Sequence, residues 1–414
     1  MIKKISSDNL IILKNLSFLS ILRFFNIGVK FFLVAYLVRV LGKTNYGILT
    51  WSDSVIQYFL IFINFGFNVY GAKYIVENTN DKLNINKITS AIFTVKFGLF
   101  LISFLILFAL NFTQTFSAYK EILYLLLIMG VGEVFFPIWY FQGIEKLKLA
   151  TYITVFSRIF LVLGTFLLVN NPNDLYKHIY LIIFSSFLMG FLGYLTLLKK
   201  FNFKFIWVGK QLIKKVIKEA YMFFLGRFLS LTFNFMTIFL IGVFYAMDYV
   251  SGFDVALKIV LVCIIPFDML QQAVFPTITR NKNKNLIKKI LILSVFFAIL
   301  LSLGLYNFSV ELLHLFGGEE LVEYSNVLQT LSIIPPFVAI TFILGTCTLV
   351  AFGFNKQFNQ SLIISSVFYL IIVLVLYLLN KLTFWNLVYL RVFSDVLLAL
   401  IRVYYVQKHR ILFK

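Results

Sequence analysis

Long apolar runs, each about as long as a lipid bilayer is thick, limit this chain to very few folds. The 414 residues are 61% hydrophobic and 13% charged, whereas ordinary soluble domains hold about 45–50% apolar and about 25% charged residues. A chain with this balance cannot cover its apolar surface in water, so its solvent is lipid. The runs have the roughly 20 residues that a helix needs to cross about 30 Å of hydrocarbon, whereas barrel strands would have about 10.

Short segments with turn or charged residues separate the runs, as at residues 171–174 and 280–284. The first run follows Lys3, Lys4 and Lys14 but holds no small-residue cleavage site, which favours a first span over a cleaved signal. The sequence therefore predicts an all-α, polytopic membrane protein of about 12 transmembrane helices. The predicted spans are residues 16–40, 47–70, 89–111, 121–141, 151–170, 178–198, 220–243, 251–276, 289–310, 326–352, 360–379 and 385–405.

The distribution of Lys and Arg predicts which ends of the spans face the cytoplasm. Cytoplasmic loops of membrane proteins carry the excess of these residues. We therefore expect both termini in the cytoplasm. Segments on the side of the N-terminus hold 24 Lys and Arg when Lys289, at the edge of the ninth span, is counted with them, and the opposite loops hold four, namely Lys43, Lys120, Lys177 and Lys381.

The midpoint of the chain is its most basic loop, and this loop divides the spans into two groups of six. Residues 199–219 carry seven lysines with apolar residues on one helical face, typical of a headgroup-region helix and also of a plain positive-inside signal. Residues 18–23 resemble residues 222–227, and parallel repeats of six spans are common in transporters. The sequence thus predicts an N-terminal lobe at 1–198, a basic linker at 199–219 and a C-terminal lobe at 220–414.

Composition and motif content argue against several function classes. The net charge of +20 does not indicate a nucleic-acid partner, because the basic residues flank apolar spans and form no patch on a soluble fold. Cys263 and Cys347 are far apart in apolar runs, and the three histidines lack ligands at metal-binding spacing, so we expect no metal site. The sequence holds no GxSxG motif, no HExxH motif and no glycine-rich phosphate loop, so we expect neither an enzyme nor a cofactor.

Ionisable residues inside the spans are the most informative positions for function. A charge at the bilayer centre costs about 2.5–3.5 kcal/mol on insertion scales, so a charge that persists usually faces protein or water. At about 100° per residue, the polar residues of four spans each fall on one helical face. These faces hold Arg23, Asn26 and Lys30 in the first span, Asp53, Gln57, Asn64 and Asn68 in the second, Asp254, Lys258, Asp268 and Gln272 in the eighth, and Arg391, Asp395 and Arg402 in the twelfth.

Five charges inside spans are cations with no acid nearby on the same helix, and they predict a cationic cavity. Such a cavity would attract an anion from the cytoplasm, and diphosphates or sugar acids fit best because arginine binds phosphate oxygens with two parallel hydrogen bonds. Sealed contacts between helices are the alternative interpretation. Arg39 and Arg402 lie near span ends, where long side chains can reach the interface. The predicted substrate-binding residues are Arg23, Lys30, Lys96, Arg158 and Arg227.

The acids inside spans have two interpretations. They can bind and release a proton during transport, because burial disfavours the charged form, or they can be fixed partners of nearby cations. Asp254 with Lys258, and Arg391 with Asp395, are spaced i,i+4 and can pair on their own helices. The predicted ion-coupling or gating residues are Asp53, Glu133, Asp268 and Asp395.

Three motifs in the first five spans resemble one known family. Residues 36–49 read YLVRVLGKTNYGIL, residues 65–72 read FGFNVYGA, and residues 137–146 read PIWYFQGIEK. They are similar to the motifs of bacterial O-antigen and polysaccharide repeat-unit flippases, which belong to the multidrug/oligosaccharidyl-lipid/polysaccharide exporter superfamily. The second half of the chain agrees in span number and charge placement but holds no sharp motif.

This resemblance implies two six-helix lobes in a V shape around a central cationic cavity. It implies transfer of an undecaprenyl-diphosphate-linked oligosaccharide from the cytoplasmic to the outer leaflet by alternating access, coupled to a cation gradient. It also implies the bacterial plasma (inner) membrane as location, with membrane lipids, a polysaccharide polymerase and a chain-length regulator as partners. Within the motifs, the turn and gate-packing positions are interpreted as Gly42, Tyr46, Gly47, Gln142, Gly143 and Glu145.

Other membrane proteins fit the sequence less well. A flippase for peptidoglycan lipid precursors shares the fold and the cationic cavity and is the closest alternative. A glycosyltransferase or polymerase usually needs a sizeable external loop, whereas the longest outer loop here is 311–325. A drug exporter of the same superfamily would prefer acidic residues in its cavity. The glutamates of the outer loop cluster without a basic partner, at Glu311, Glu319, Glu320 and Glu323.

Overall fold

The computed structural model describes the backbone of residues 7–79 and 81–412, and the side chains of residues 33–79, 81–229 and 235–412. Within these ranges the secondary structure consists of helices joined by turns and short connections. The predicted all-α class is therefore confirmed.

Nine helices in the described part of the chain are long and apolar enough to cross a membrane. They become ten when the bent pair Glu319–Leu331 and Ile334–Val350 counts as one span. Ten of the twelve predicted spans coincide with these helices. The other two, 16–40 and 220–243, fall partly on residues whose side chains are outside the described ranges.

The chain forms two compact units, and each combines separate stretches of the sequence. So far as their residues are described, unit 1 comprises Met1–Leu33 and Ser52–Phe228, and unit 2 comprises Val34–Trp51 and Leu229–Lys414. Unit 2 thus includes residues 34–51, which lie in the sequence far before the predicted linker at 199–219. The division into two six-span lobes with boundaries at that linker stays a prediction.

The first helix, α1 (Ser7–Asn64), contributes to both units and breaks at Gly42. Gly42 has φ 76° and ψ 164°, a conformation that residues with a Cβ rarely adopt. The predicted turn between the first two spans is confirmed here. In unit 2, Gly47 packs against Met247 so closely that a Cβ would collide with the carbonyl oxygen of Met247.

The helices of unit 1 pack around a core rich in aromatic side chains. The fully buried Trp139 meets the ring of Phe93 edge-on, with 5.4 Å between centroids. Gly132 and Gly190 allow two helices to approach closely, since a Cβ on either would collide with main-chain atoms of the other helix. After α1, the helices are α2 (Phe67–Glu77), α3 (Lys82–Leu110), α4 (Gln114–Ala118), α5 (Lys120–Ile128), α6 (Gly130–Phe135), α7 (Ile138–Gly143), α8 (Leu147–Leu168), α9 (Leu175–Phe201) and the start of α10 (Lys210–Phe244).

Unit 2 has its own core, in which Cys347 and Val406 are fully buried. Its helices begin at capping side chains where the sequence supplies them. The side chain of Asn283 accepts the main-chain N–H of Leu286, and that of Thr383 accepts the N–H of Asn386. The helices are α11 (Met247–Asn281), α12 (Lys284–Asn307), α13 (Ser309–Gly317), α14 (Ser325–Leu331), α15 (Ile334–Phe342), a π-helical stretch (Ile343–Val350), α16 (Asn355–Leu378) and α17 (Phe384–Lys408).

Candidate functional site

Lys96 on α3 is completely buried, and it supplies a hydrogen-bond donor that is missing from a neighbouring helix because of a proline. Pro137 has no N–H, so the carbonyl of Glu133, four residues earlier, lacks its helical donor. The Lys96 ammonium donates a hydrogen bond to this carbonyl oxygen and lies 4.7 Å from the centroid of the Trp139 ring. Lys96 was predicted to bind substrate, but in this conformation its exposure is 0% and its ammonium is bound to the α6–α7 break.

The side chain of Glu133 lies at the centre of a charge cluster in unit 1. Its Oε2 accepts a hydrogen bond of 3.0 Å from the amide of Asn64. The half-buried Arg158 on α8 is within electrostatic range of the carboxylates of Glu133 and Asp53. We call Asp53, Lys96, Glu133 and Arg158 the unit-1 charge cluster.

The unit-1 charge cluster holds two cations and two carboxylates, so its formal charges balance. Among its cations, Arg158 has the exposed surface that a ligand would need, whereas Lys96 has none. Asp53 also accepts a 3.0 Å hydrogen bond from Gln57, one turn away on α1. An anion that binds Arg158 would therefore compete with Glu133 and Asp53 for the guanidinium.

Two further charge pairs lie in unit 2, each on a single helix. Arg391 and Asp395 form a buried ion pair on α17. On α11, the ammonium of Lys258 donates to Asp254 Oδ2 at 2.6 Å and to the hydroxyl oxygen of Tyr46 at 2.8 Å. Both i,i+4 pairs that the spacing allowed are therefore confirmed.

The buried Asp254 also accepts a hydrogen bond from the hydroxyl of Tyr46, which closes a triad of three side chains. Tyr46 was interpreted from sequence as a packing position. The spacing of Asp254 and Lys258 indicated their pairing, but nothing in the sequence indicated that Tyr46 joins them from a segment about 200 residues earlier.

Two of the other predicted residues, Asp268 and Arg227, lie on α11 and α10. Asp268 accepts a 2.9 Å hydrogen bond from Gln272 on its own helix, and Arg227 has an exposed side chain. The side chains of Arg23 and Lys30 lie outside the described residues, so their predicted role stays a prediction.

Two predictions about arginine and glutamate side chains are wrong. Arg402, which was expected to reach the interface, is 3% exposed, because its guanidinium donates to the carbonyl of Thr341 at 2.6 Å and to Ser361. The outer-loop glutamates were expected to lack a basic partner. Lys43 provides one, with its ammonium 2.9 Å from Glu323.

Comparisons with known proteins match the chain to one family model and to named relatives. The family model described as polysaccharide biosynthesis protein matches residues 12–282. A protein of Escherichia coli strain K12, named as a candidate O-antigen transporter, is 22% identical over 391 residues, which are 91% of this chain and 92% of that protein. A protein of Shigella dysenteriae with the same name is 26% identical over 400 residues, 94% of this chain and 98% of that protein.

Solved structures of two membrane proteins share the fold. The lipid II flippase MurJ in an inward closed conformation is similar with a TM-score of 0.77 at 16% identity, covering 94% of this chain and 87% of that one. An inward-facing multidrug resistance MATE family transporter of the MOP superfamily has a TM-score of 0.70 at 14% identity, covering 92% and 94%. At such identities the likeness concerns the fold, which is that of a polytopic membrane protein.

Proposed function

Because the chain belongs to the polysaccharide biosynthesis protein family, we propose that it is a flippase for undecaprenyl-diphosphate-linked oligosaccharide repeat units. It carries them from the cytoplasmic to the outer leaflet by alternating access, and it performs no chemical step. The matched residues 12–282 include all three motifs on which the sequence resemblance rested, so that resemblance is confirmed.

The observation that carries this proposal is the half-buried Arg158 within electrostatic range of two carboxylates in an apolar bundle. Ionisable groups at membrane depth are expensive and usually serve a pathway. A guanidinium matches the geometry of phosphate oxygens better than an ammonium does. Arg158 is therefore the residue best suited to contact the diphosphate of the substrate.

Glu133 is the best candidate among the four acids for coupling transport to an ion gradient. Its carboxylate acts on Arg158, whereas Asp395 is paired with Arg391 and Asp268 with Gln272 on their own helices. A proton on Glu133 removes one competitor for the guanidinium of Arg158, so protonation raises the affinity for an anionic substrate. Asp53 would add to this effect in the same direction.

We place the protein in the bacterial plasma (inner) membrane with both termini in the cytoplasm, among membrane lipids and beside a polysaccharide polymerase and a chain-length regulator. The support for this orientation is the excess of Lys and Arg on one side. Single cysteines in a variant that lacks Cys263 and Cys347 test it. Residues 199–219 should react with a membrane-impermeant thiol reagent only after the membrane is opened, and residues 311–325 should react in intact spheroplasts. The reverse pattern would overturn the orientation.

Complementation tests the function itself. Expressed in a strain that lacks its own repeat-unit flippase and makes the matching glycan, the chain should restore surface polysaccharide and remove lipid-linked glycan accumulated in the inner leaflet. A second strain, depleted of its peptidoglycan-precursor flippase, tests the alternative. Rescue of growth in the second strain without surface glycan in the first would replace our proposal by that alternative.

A further inference from the structure

A groove of about 580 Å³ opens in unit 2, away from the charge pairs described above. It is lined by α14 and α17, which contact each other, and by the end of α12. Tyr306 lies at the end of α12, Asn326 at the start of α14 and Trp385 at the start of α17. The mouth of the groove therefore lies where α12 ends and where α14 and α17 begin.

The mouth of the groove combines aromatic rings with uncharged hydrogen-bonding groups. Asn326, Gln329 and Thr330 contribute two amides and a hydroxyl from α14. Trp385 and Tyr389 form a pair of rings on α17, with 6.0 Å between centroids and 31° between planes. Amides pair with neighbouring hydroxyl groups as both donor and acceptor, and flat rings offer large apolar contact with a polar edge.

The part of the groove farther along α17 from Trp385 is apolar. Val392 and Val396 follow Trp385 on α17 by about 10 and 16 Å along the helix axis. On α14's side, Ile333 follows the polar residues of the first two turns. The lining thus changes from hydrogen-bonding to hydrocarbon along the helices, which matches an amphiphile with a polar head and an apolar chain.

None of the described residues that line the groove is charged. Binding of a phosphate or carboxylate head would desolvate its charge without a counter-ion, which is unfavourable. A sugar satisfies the same lining well, since its hydroxyls pair with amides and its C–H faces lie against aromatic rings. The chemistry of the mouth therefore favours an uncharged sugar over an ionic head group.

We propose that this groove binds an amphiphile with an uncharged sugar head and a hydrocarbon chain. The sugar lies between the amides of α14 and the rings of α17, and the chain runs down past Ile333 and Val392. The site goes beyond the proposed function, because it lies in unit 2, takes a neutral head and requires no transport. Its test therefore has an outcome independent of whether the chain restores surface glycan.

The test uses the full-length protein in lipid nanodiscs and a dodecyl maltoside that carries a photoreactive diazirine on its sugar. After irradiation, tandem mass spectrometry should locate the label at residues 326–330 and 385–389. Unlabelled dodecyl maltoside should compete for this labelling at a concentration about tenfold lower than dodecylphosphocholine, which has the same chain and an ionic head.

Variants distinguish binding in this groove from general labelling of aromatic residues at the membrane interface. Asn326→Leu and Trp385→Ala should each lower labelling about tenfold, the scale of one or two lost hydrogen bonds or one lost ring contact. Asn307→Leu is the matched control, since Asn307 is exposed at the end of α12 beside Tyr306 and is not part of the lining. Equal competition by both detergents, or wild-type labelling in the Asn326 and Trp385 variants with unchanged thermal unfolding, would overturn the proposal.

Discussion

Replacing Arg158 with alanine should lower glycan export at least about tenfold, while the protein still folds and reaches the membrane. A charge-assisted hydrogen bond contributes about 1.5–3 kcal/mol, and about 1.4 kcal/mol corresponds to a factor of ten. The side chain is half-buried, so its loss leaves no sealed cavity in the core. Export is measured as surface polysaccharide in the complemented strain, normalised to the protein level on an immunoblot of membranes.

Two variants on the same helix give this experiment its controls. Arg158→Lys keeps the charge but loses the planar pair of donors, so it should recover part of the lost export. Lys148→Ala removes an exposed cation of α8 and should export normally. If Arg158→Ala exports like the wild type, or if Lys148→Ala loses as much, Arg158 does not bind substrate and its charge has a structural role.

The sequence identified the ionisable residues of unit 1 but not their individual roles. Insertion cost alone identified Lys96, Glu133 and Arg158 as unusual. Lys96 and Arg158 have the same charge in sequence, yet the first is sealed and the second is half-buried. The difference arises because Pro137 leaves a carbonyl without its donor and Lys96 is close enough to supply one. Because Pro137 stands four residues after Glu133, the missing helical donor can be predicted from the sequence alone, whereas the position of Lys96 beside it cannot.

Contacts between distant segments were beyond prediction from one sequence. The helical spacing of Asp254 and Lys258 predicted their pairing, because i and i+4 lie on one face of a helix. Lys43 with Glu323 and Tyr46 with Asp254 depend on which helices pack together, and no local pattern encodes that. Arg402 illustrates the same limit, since its position near a span end indicated the interface while its partners in other helices bury it.

The groove lined by α14 and α17 could not be predicted from the sequence either, for a related reason. In the sequence, Asn326 and Gln329 stand at the start of the predicted span 326–352 and Trp385 at the start of the span 385–405, where polar and aromatic residues are common. Only the packing of α14 against α17 places amides opposite rings. Span positions, helical faces and local pairs are thus predictable from periodicity, whereas sites built from several helices need the structure.

The largest loss of stability is expected from Asp254→Ala in unit 2. The buried carboxylate accepts hydrogen bonds from both Lys258 and Tyr46, so its removal leaves the ammonium without its counter-ion and the hydroxyl without its acceptor. Removing one partner of a buried ion pair costs about 3–5 kcal/mol. The side chain of Lys258 is 30% exposed, which allows some hydration and places the expected loss near the lower end of that range. Thermal unfolding in detergent, followed by circular dichroism, measures the effect.

A second substitution distinguishes the loss of a counter-ion from a general loss of packing. Adding Lys258→Met to Asp254→Ala removes the unpaired ammonium, so the double variant should be more stable than Asp254→Ala alone. Glu323→Ala breaks an exposed pair with Lys43 and should cost only about 0.2–1 kcal/mol. A double variant no more stable than Asp254→Ala would show that the charge pair is not what stabilises this part of unit 2. Equal losses in Asp254→Ala and Glu323→Ala would show that burial of the triad adds nothing to an exposed ion pair.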